Sequence, residues 1–310
     1  MRHFPILVIL FLLHQSVAQA QNLLVPDSTA DRVLLLSGND GTVLNSNFLD
    51  IATQAANAGV NSTAIEALEV GNEFWVSDQV ADRIWRFARN GNFIGDIGAG
   101  QLNNIRGMEV VGDTVYVAQG SASASFGEGI ITIDVPSAQV TGVFNGRPDA
   151  DTSYWDVFLH NNELLVTNSD SGNDGIERYS LDGDLLGFFD QSDGETNFDF
   201  LQQLNRRQSN DNLLGGGFSG PSGVYEFLSD GTNLGIVAAL DFGPRAAFEL
   251  ANGEILWTNG ARIGTDSVEV ASGGSFRFIS TTSIPEPNTG ILLLVVITSQ
   301  LTLGRRRRAT

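Results

Sequence analysis

The chain contains no cysteine and no lysine, and these absences exclude several kinds of site. Without cysteine there is no disulfide framework, no thiol nucleophile and no zinc site built on thiolates. His3 and His14 lie within the first twenty residues, so His160 is the single histidine of the remaining chain. A zinc site made of several histidines is therefore excluded, and a Ser-His-Asp hydrolase would depend on His160 without a Gly-x-Ser-x-Gly motif to support it.

Basic residues are also scarce. The chain has 17 basic residues, all of them arginine, against 36 acidic ones, and its formal net charge is −19 at pH 7. Such a surface repels the phosphate backbone of nucleic acids and the headgroups of anionic membranes. We therefore predict no nucleic-acid partner, and membrane contact only through a segment at the C-terminus.

The first twenty residues have the composition of a secretory signal peptide. Arg2 precedes an apolar run at 4–13, and small residues follow at Ala18 and Ala20. A run of about ten residues is too short to span a bilayer as a helix, and small residues at this spacing are typical of a signal cleavage site. We predict that residues 1–20 are removed on export by cleavage after Ala20. The alternative is a short buried helix.

The C-terminal residues contain three features in a fixed order. These are Pro285-Glu286-Pro287, an apolar segment at 290–304, and the cluster of Arg305, Arg306, Arg307 and Arg308. The apolar segment is short for a stable membrane span. The positive-inside rule predicts that the arginine cluster stays in the cytoplasm.

This order of features resembles the PEP-CTERM sorting signal. The resemblance covers only the tail, and it implies recognition and cleavage by an exosortase in a Gram-negative bacterium. It also implies that the mature protein reaches the outer surface or the extracellular matrix after transient anchoring in the inner membrane. A plain anchor helix that is not cleaved is the alternative.

Between these ends, six segments share one pattern of strands and tight turns. The hairpins are spaced by about 43 to 50 residues, the period of a four-stranded propeller blade. The second predicted strand of each segment lies at 32–36, 83–87, 129–133, 175–179, 223–227 and 267–270. The hairpins are Asp40-Gly41, Asn90-Gly91, Pro136-Ser137-Ala138, Asp182-Gly183, Asp230-Gly231 and Gly273-Gly274. Asn-Gly and Asp-Gly suit two-residue turns with positive φ at both positions.

No segment of the body has a sustained helical period, so the predicted fold is an all-β six-bladed propeller at residues 21–280, followed by a tail at 281–310. The units resemble the blades of NHL and SMP-30/gluconolactonase-like propellers, as at 104–119 and at Val76-Ser77-Asp78. The first unit starts at Gln21 without room for an innermost strand. The sequence therefore predicts about twenty-three strands and leaves ring closure open, with a three-stranded first blade as one solution.

The innermost strands line the channel of a propeller, so their polar residues are the candidate site. These residues are Glu66, Arg106 with Glu109, Asp156, Gln202 with Gln203, and Arg245 with Glu249. The alignment places Glu66 and Asp156 at one level, and Arg106 and Arg245 nearer the strand starts. An acidic pair beside arginines is suited to Ca²⁺ or a carbohydrate; alternatively, the charges pair with one another around water. The resemblance to SMP-30-like lactonases implies a metal held by Glu, Asn and Asp, but the sequence does not assign that trio to positions.

Three other sets of residues have both a functional and a structural interpretation. Short polar side chains that end a strand in five units form either a ring of ligands or, as we favour, caps of the next turn: Asp27, Asp78, Gln119, Asn168 and Asn259. The acidic loop at 170–174 lacks EF-hand spacing and is predicted to be a solvated loop. The four tryptophans are suited to stacking on sugars, but their positions within strands favour core packing: Trp75, Trp85, Trp155 and Trp257.

We predict a non-catalytic binding protein of the envelope or of the exopolysaccharide matrix. Its expected partners are a polysaccharide or an envelope protein, with the exosortase acting on the tail, and no cofactor is assigned. The alternative is a Ca²⁺-dependent, SMP-30-like hydrolase or lactonase that uses the channel. The ligand-binding candidates in the channel are Glu66, Arg106, Asp156 and Arg245. The fold alone does not choose between the two hypotheses.

Overall fold

A computed structural model describes residues 21–144, 152–170, 174–191, 198–240 and 242–284. In these residues, twenty-four strands form six four-stranded antiparallel sheets. This confirms the predicted six-bladed β-propeller. The predicted signal peptide at 1–20, the Pro285-Glu286-Pro287 motif, the apolar segment and the arginine cluster lie outside the described residues. Among the described residues, no helix has the length and apolar character needed to cross a membrane.

The blades follow one another along the chain. Blade 1 contains β1 (Asn22–Asp27), β2 (Arg32–Leu36) and β3 (Val43–Asp50), and is followed by α1 (Ile51–Ala58). Blade 2 contains β4 (Ala64–Val70), β5 (Glu73–Asp78), β6 (Arg83–Ala88) and β7 (Phe93–Ile97). Blade 3 contains β8 (Ile105–Val111), β9 (Thr114–Gln119), β10 (Gly129–Asp134) and β11 (Gln139–Val143).

The second half of the ring has the same arrangement. Blade 4 contains β12 (Tyr154–His160), β13 (Glu163–Asn168), β14 (Gly175–Ser180) and β15 (Leu185–Gln191). Blade 5 contains β16 (Asp199–Arg206), β17 (Leu213–Ser219), β18 (Gly223–Phe227) and β19 (Asn233–Ala239). Blade 6 contains β20 (Ala246–Glu249), β21 (Ile255–Thr258), β22 (Arg262–Gly264) and β23 (Glu269–Ser272), and β24 (Ser280–Thr282) follows.

The ring closes through β24, which the sequence did not reveal. This strand pairs with β1, so that Asn22 lies opposite Thr282, and it supplies the innermost strand of blade 1. The predicted count of about twenty-three strands and the three-stranded first blade are therefore wrong. The closing strand also crosses the predicted domain boundary at residue 280.

The hydrophobic core lies between neighbouring sheets. Alternate residues of each strand point to opposite faces of a blade, so each blade packs on two neighbours. Between blades 2 and 3, for example, Trp75 and Ile84 belong to one buried cluster with Met108 and Val117. Full burial of a Val, Leu, Ile or Phe side chain contributes about 1.5–3 kcal/mol. These interfaces therefore hold the ring together and fix the inner strands around the channel.

The Asp-Gly and Asn-Gly hairpins occur where predicted in the first, second, fourth and fifth blades, but their geometry differs from the prediction. Only the glycine has positive φ, as at Gly41 (75°) and Gly91 (83°). In blades 1, 2 and 5 the preceding side chain accepts a backbone N–H two residues later, as in Thr42 N to Asp40 Oδ1 at 3.0 Å, whereas in blade 4 Asp184 N donates to Ser180 Oγ at 3.1 Å. The turns of blades 1, 2 and 5 are therefore asparagine- or aspartate-stabilised turns with a bulge, rather than turns with two positive-φ residues.

Two other expectations are corrected. The second strand of the sixth unit is β22, whereas the predicted one at 267–270 overlaps the outer strand β23. The turn between β22 and β23 contains no glycine; instead, Thr265 Oγ1 accepts the N–H groups of Ser267 and Val268, both at 3.2 Å. The short helix α1 was also not predicted. Its eight residues, capped by Asp50, are too few for a periodicity to be recognised.

The two faces of the ring are defined by the direction of the inner strands. We call the face where the inner strands begin the upper face and the face where they end the lower face. Since β24 runs towards the lower face and β1 runs away from it, both ends of the described chain lie at the lower face. Asn22 Nδ2 donates to the Ile284 carbonyl at 2.7 Å.

Candidate functional site

Two predicted site residues, Glu66 and Asp156, occupy equivalent positions in the channel. Each is the third residue of its inner strand, β4 or β12, and both are buried. A bulge at this point lets the backbone N–H of Glu66 donate to Ser77 Oγ at 3.2 Å, and that of Asp156 to Thr167 Oγ1 at 2.9 Å. The shared geometry places both carboxyl groups in the channel, opposite other inner strands.

The channel carboxyl groups bind the next blade. We call Glu66, Glu109 and Asp156 the carboxylate belt. Glu66 Oε2 accepts from Met108 N at 2.5 Å. Glu109 Oε2 accepts from Leu159 N at 2.8 Å, and Asp156 Oδ2 from Leu204 N at 2.9 Å. Each side chain thus supplies the acceptor for a backbone N–H of the next inner strand that would otherwise be unpaired. In this way the carboxyl groups tie successive blades together.

Additional donors complete the belt at Glu66. Its Oε1 accepts from Ser280 Oγ at 2.8 Å and from Gln203 Nε2 at 3.2 Å. Gln203 in turn accepts from Ile279 N at 2.8 Å. The belt therefore reaches the closing strand, and its hydrogen bonds form a network that joins the blades.

Burial controls the protonation of the belt. It raises the pKa of Glu66 to about 8. Burial, together with the charge of Glu66, raises the pKa of Asp156 well above its usual range, and burial also raises the pKa of Glu109. Several carboxyl groups held close together in a low dielectric cannot all ionise, so at neutral pH part of the belt is protonated.

The belt does not fit a Ca²⁺ site. It lines a cavity of about 140 Å³, but its oxygens accept hydrogen bonds from N–H and O–H groups of neighbouring strands. No group of three or more Asp, Glu, His or Cys side chains in the described part of the chain is arranged to hold a metal. Since Ca²⁺ takes six to eight oxygen ligands, the described channel gives no support to a calcium-dependent reaction.

A different group of charges lies where the inner strands begin. We call Arg106, Arg245 and Arg277 the arginine mouth; they precede or start the inner strands β8, β20 and β24 at the upper face. The other arginines of the described residues have a carboxylate within 4.0 Å: Arg32, Arg83, Arg86, Arg89, Arg178, Arg206, Arg207 and Arg262. The three mouth arginines have none, which separates them from every other cation in this part of the chain.

Arg106 is held against an aromatic ring. Its guanidinium lies 3.9 Å from the centre of the Trp155 ring, and its Nη1 donates to the Tyr154 carbonyl at 2.8 Å. Only 6% of the residue is exposed, and its Nε has no hydrogen-bond partner. A Cβ at Gly120 would lie 2.5 Å from Arg106 Cζ, so glycine is needed there to admit the side chain.

Arg245 and Arg277 form the other side of the mouth. Arg245 Nη1 donates to Gln202 Oε1 at 3.4 Å, and its guanidinium lies 5.1 Å from the Phe218 ring. Arg277 Nε donates to Ser28 Oγ at 2.8 Å. Burial lowers the pKa of all three arginines, to about 10 for Arg106 and for Arg277, and the charge of Arg245 adds to the shift at Arg277. All three remain charged at neutral pH.

A row of aromatic rings connects the two sides. Trp155 and Phe200 have ring centres 4.9 Å apart, and Phe200 and Phe218 have theirs 5.1 Å apart. All three rings are partly exposed, whereas Trp75, Trp85 and Trp257 are buried. Phe200 has φ of 59°, an uncommon conformation for a bulky residue that is typical of functional sites. Arg106, the row and Arg245 thus form one continuous surface at the upper mouth.

The remaining candidate residues have structural roles. Asp78 accepts the N–H groups of Thr63 and Ala81, at 2.7 and 3.0 Å, and Asp27, Asn168 and Asn259 cap the turns that follow them. Gln119 instead joins two loops, since it accepts from Asn103 N at 3.0 Å and donates to the Gly127 carbonyl at 2.8 Å. His160 lies at the lower face, where Nε2 is 2.9 Å from the Ser229 carbonyl. Among the described residues, no serine hydroxyl bonds to it. In the acidic loop, 171–173 lie outside the described residues.

One arginine of the mouth and two rings of the aromatic row were not among the residues that the sequence analysis proposed. Arg277 precedes β24, the strand that was not predicted, and Phe200 and Phe218 stand at the upper ends of β16 and β17. For Arg277 the available signal was the scarcity of basic residues, because an arginine that forms no ion pair is unusual in so acidic a chain.

Comparison with known proteins supports the fold alone. No protein family and no curated protein sequence matches the chain. Solved structures do match it. A chain of a nidogen/laminin complex has a TM-score of 0.63 at 13% identity, covering 84% of this chain and 98% of that chain. A protein of unknown function from Bacteroides caccae has a TM-score of 0.54 at 13% identity, covering 86% of this chain and 100% of that chain. A streptogramin B lyase has a TM-score of 0.53 at 14% identity, covering 86% of this chain and 85% of that chain.

Proposed function

We propose that the protein is an exported, non-catalytic binding protein of the bacterial envelope or exopolysaccharide matrix, and that it binds its ligand at the arginine mouth. The observation that carries this proposal is the isolation of Arg106. It is a nearly buried cation, stacked on Trp155, with no carboxylate within 4.0 Å among the described residues. Glu128 acts on Arg106 only from beyond 4.0 Å. A desolvated charge without a contacting partner is expensive, and a ligand from outside supplies that contact.

The interior of the channel favours binding over catalysis. The belt oxygens of Glu66 and Asp156 accept hydrogen bonds that join blades, so they cannot move freely to a substrate. His160 lies at the opposite face from the arginine mouth. The single histidine of the predicted mature chain is therefore not available as a general base at the upper face, and the geometry supports recognition there.

Export and sorting complete the proposal, and they rest on the sequence of the two ends. β1 starts at Asn22, two residues after the predicted cleavage site at Ala20. The last described residue, Ile284, directly precedes Pro285. Both proposed processing sites thus fall just outside the strands that close the ring, so that removing either end leaves the propeller intact. An exosortase is the proposed partner of the tail.

The similar structures are compatible with this function. One was solved in a nidogen/laminin complex, so a propeller of this architecture serves a protein that binds a partner. Another is a streptogramin B lyase, so the same architecture also serves an enzyme. Since the identities are 13–14%, the choice between binding and catalysis depends on the site of this chain.

Binding is tested with the purified protein on an array of neutral and acidic bacterial polysaccharides. We expect binding to at least one polysaccharide, weakened about tenfold by Trp155→Ala, since a cation–π contact that holds an arginine contributes about 0.5–2 kcal/mol. Phe93→Ala, at an exposed aromatic of an outer strand, is the matched control and should bind as the unchanged protein does. Ca²⁺-dependent turnover of a lactone, lost in Glu66→Gln, would overturn the proposal.

Export is tested separately in cells. We expect the unchanged protein in the surface or matrix fraction, and a protein lacking residues 1–20 in the cytoplasm. Replacing Pro285, Glu286 and Pro287 by alanine should leave the protein in the inner membrane. A cytoplasmic location of the unchanged protein would rule out export without affecting the binding experiment.

A further inference from the structure

Unpaired hydrogen-bond donors converge on one side of the arginine mouth. Arg245 Nε and Gln202 Nε2 are both buried and both lack a partner, although Arg245 Nη1 and Gln202 Oε1 are only 3.4 Å apart. Gln202 is 1% exposed. Buried donors without acceptors are rare in folded proteins, and two of them on adjoining side chains indicate an acceptor that comes from outside.

The charge at this point is also unbalanced. Arg277 is near enough to Arg245 for their charges to repel, and neither has a carboxylate within 4.0 Å among the described residues. Arg277 is fixed by Ser28 Oγ at 2.8 Å, and Arg245 is held near the face of Phe218. Thr258 links the two backbones, because its carbonyl accepts from Arg245 N at 2.7 Å and its Oγ1 donates to the Arg277 carbonyl at 2.5 Å. Two guanidinium groups without a carboxylate partner are thus placed in one part of the mouth, an arrangement suited to binding a negative group.

We propose that Arg245, Arg277 and Gln202 form a subsite for one oxyanion, the carboxylate or sulfate group of an acidic polysaccharide. This inference rests on the proposed binding function and specifies its ligand. A guanidinium edge donates two parallel hydrogen bonds to an oxyanion, and the amide of Gln202 supplies a further donor. Arg245 already lies over the Phe218 ring, 5.1 Å from its centre, so less side-chain freedom is lost on binding.

The aromatic row suggests why a polymer binds better than a single sugar acid. Arg106 stands at the far end of the row formed by Trp155, Phe200 and Phe218, and its Nε is also without a partner. A chain with repeated acidic groups engages Arg245 and Arg106 together, whereas a monomer engages one of them. Linked contacts of this kind raise the overall affinity well beyond that of either contact alone.

The test measures binding of the purified protein to polygalacturonate, dextran sulfate and neutral dextran by titration calorimetry at low salt. We expect binding to polygalacturonate or to dextran sulfate but not to dextran, and the two acidic arms distinguish a carboxylate from a sulfate ligand. Arg245→Gln and Gln202→Leu should each reduce affinity by about tenfold or more. Galacturonate monomer should bind more weakly than the polymer.

Arg262→Gln is the matched control. It makes the same change in net charge as Arg245→Gln, at an exposed arginine beside Glu269 in blade 6. Affinity should change less than twofold. An equal loss in both variants, or equal binding of neutral dextran, would overturn the oxyanion subsite. If the polymers bind but Arg245→Gln has no effect, the subsite is wrong while the proposed binding function stands. If no polysaccharide binds at all, the proposed function itself fails.

Discussion

The carboxylate belt and the arginine mouth are two levels of one channel, and both bury ionisable groups, yet they differ in how those groups are satisfied. Glu66 accepts hydrogen bonds from Met108, Ser280 and Gln203, so its oxygens are fully used inside the protein. In the mouth, Arg106 Nε and Arg245 Nε have no acceptor. The belt is complete without a ligand, and the mouth is not.

The difference follows from chemistry. A buried carboxyl group escapes the cost of desolvation by taking up a proton, as the raised pKa of Glu66 shows. Arginine stays charged at neutral pH even where burial lowers its pKa, so it needs an anion instead. In this acidic protein, carboxyl groups therefore serve to join the blades, and we propose that the few arginines without an ion pair serve recognition.

The largest effect is expected from removing the segment that completes the belt. Deletion of 279–284 removes β24, the Ser280 bond to Glu66 and the Ile279 bond to Gln203. The ring would stay open, and we expect the single cooperative unfolding transition in urea to be lost, an effect comparable to the ~5–15 kcal/mol stability of an ordinary domain. A chain that ends at Ile284 is the control and should keep its transition. An unchanged midpoint after the deletion would show that closure does not depend on β24.

A smaller effect on stability is expected from single substitutions, and it should differ between the carboxylate belt and the arginine mouth. Asp156→Leu leaves the N–H of Leu204 unpaired and should destabilise the fold by about 1–3 kcal/mol in urea unfolding. Arg277→Leu removes a buried, unpaired charge, and Ser28 Oγ still donates to the Ser275 carbonyl. We expect its stability to be unchanged or about 1 kcal/mol higher. Equal destabilisation by both substitutions would break the distinction between belt and mouth.

The smallest effect concerns pH. The folded pKa of Glu66, about 8, lies above its ordinary value of 4.5, so the folded state holds the proton more tightly. The stability that Glu66 contributes is fully present below pH 4.5 and is lost as the pH rises through 8. Glu66→Gln should therefore lose less stability than the unchanged protein between pH 5 and pH 8.5. The free energy of unfolding of both proteins is measured in urea at several pH values. If it changes with pH in the same way in both, the raised pKa of Glu66 is contradicted.

Most of the fold could be predicted because its repeating units carry local signals. Asp-Gly and Asn-Gly turns mark four blades, and the strand at 223–227 matches β18 to the residue. Where the signal is not local, the prediction fails. β24 has three polar residues, Ser280 to Thr282, and becomes a strand only because β1 and the belt offer it hydrogen bonds. The sixth hairpin is stabilised by Thr265 rather than by glycine, and was therefore misplaced.

The sequence predicted only part of the candidate site, because local patterns again reveal some of its features and not others. Arg106, Arg245, Glu66 and Asp156 could be placed near the channel because they lie on or beside inner strands. That the arginines are unpaired while the carboxyl groups are tied to neighbouring blades depends on contacts across the ring, such as the 48 residues between Asp156 and Leu204. Sequence alone does not encode those contacts in any local pattern.

If the protein is exported as proposed, the hydrogen bond between Asn22 and Ile284 determines how it is oriented on a cell. The two ends of the described chain are held side by side at the lower face, while the arginine mouth occupies the upper face. A tether at either end would therefore leave the mouth pointing outward, away from the supporting surface. The arginine mouth would then be equally accessible in anchored and in released molecules. The two would differ only at the lower face, which the anchoring surface covers in one and not in the other.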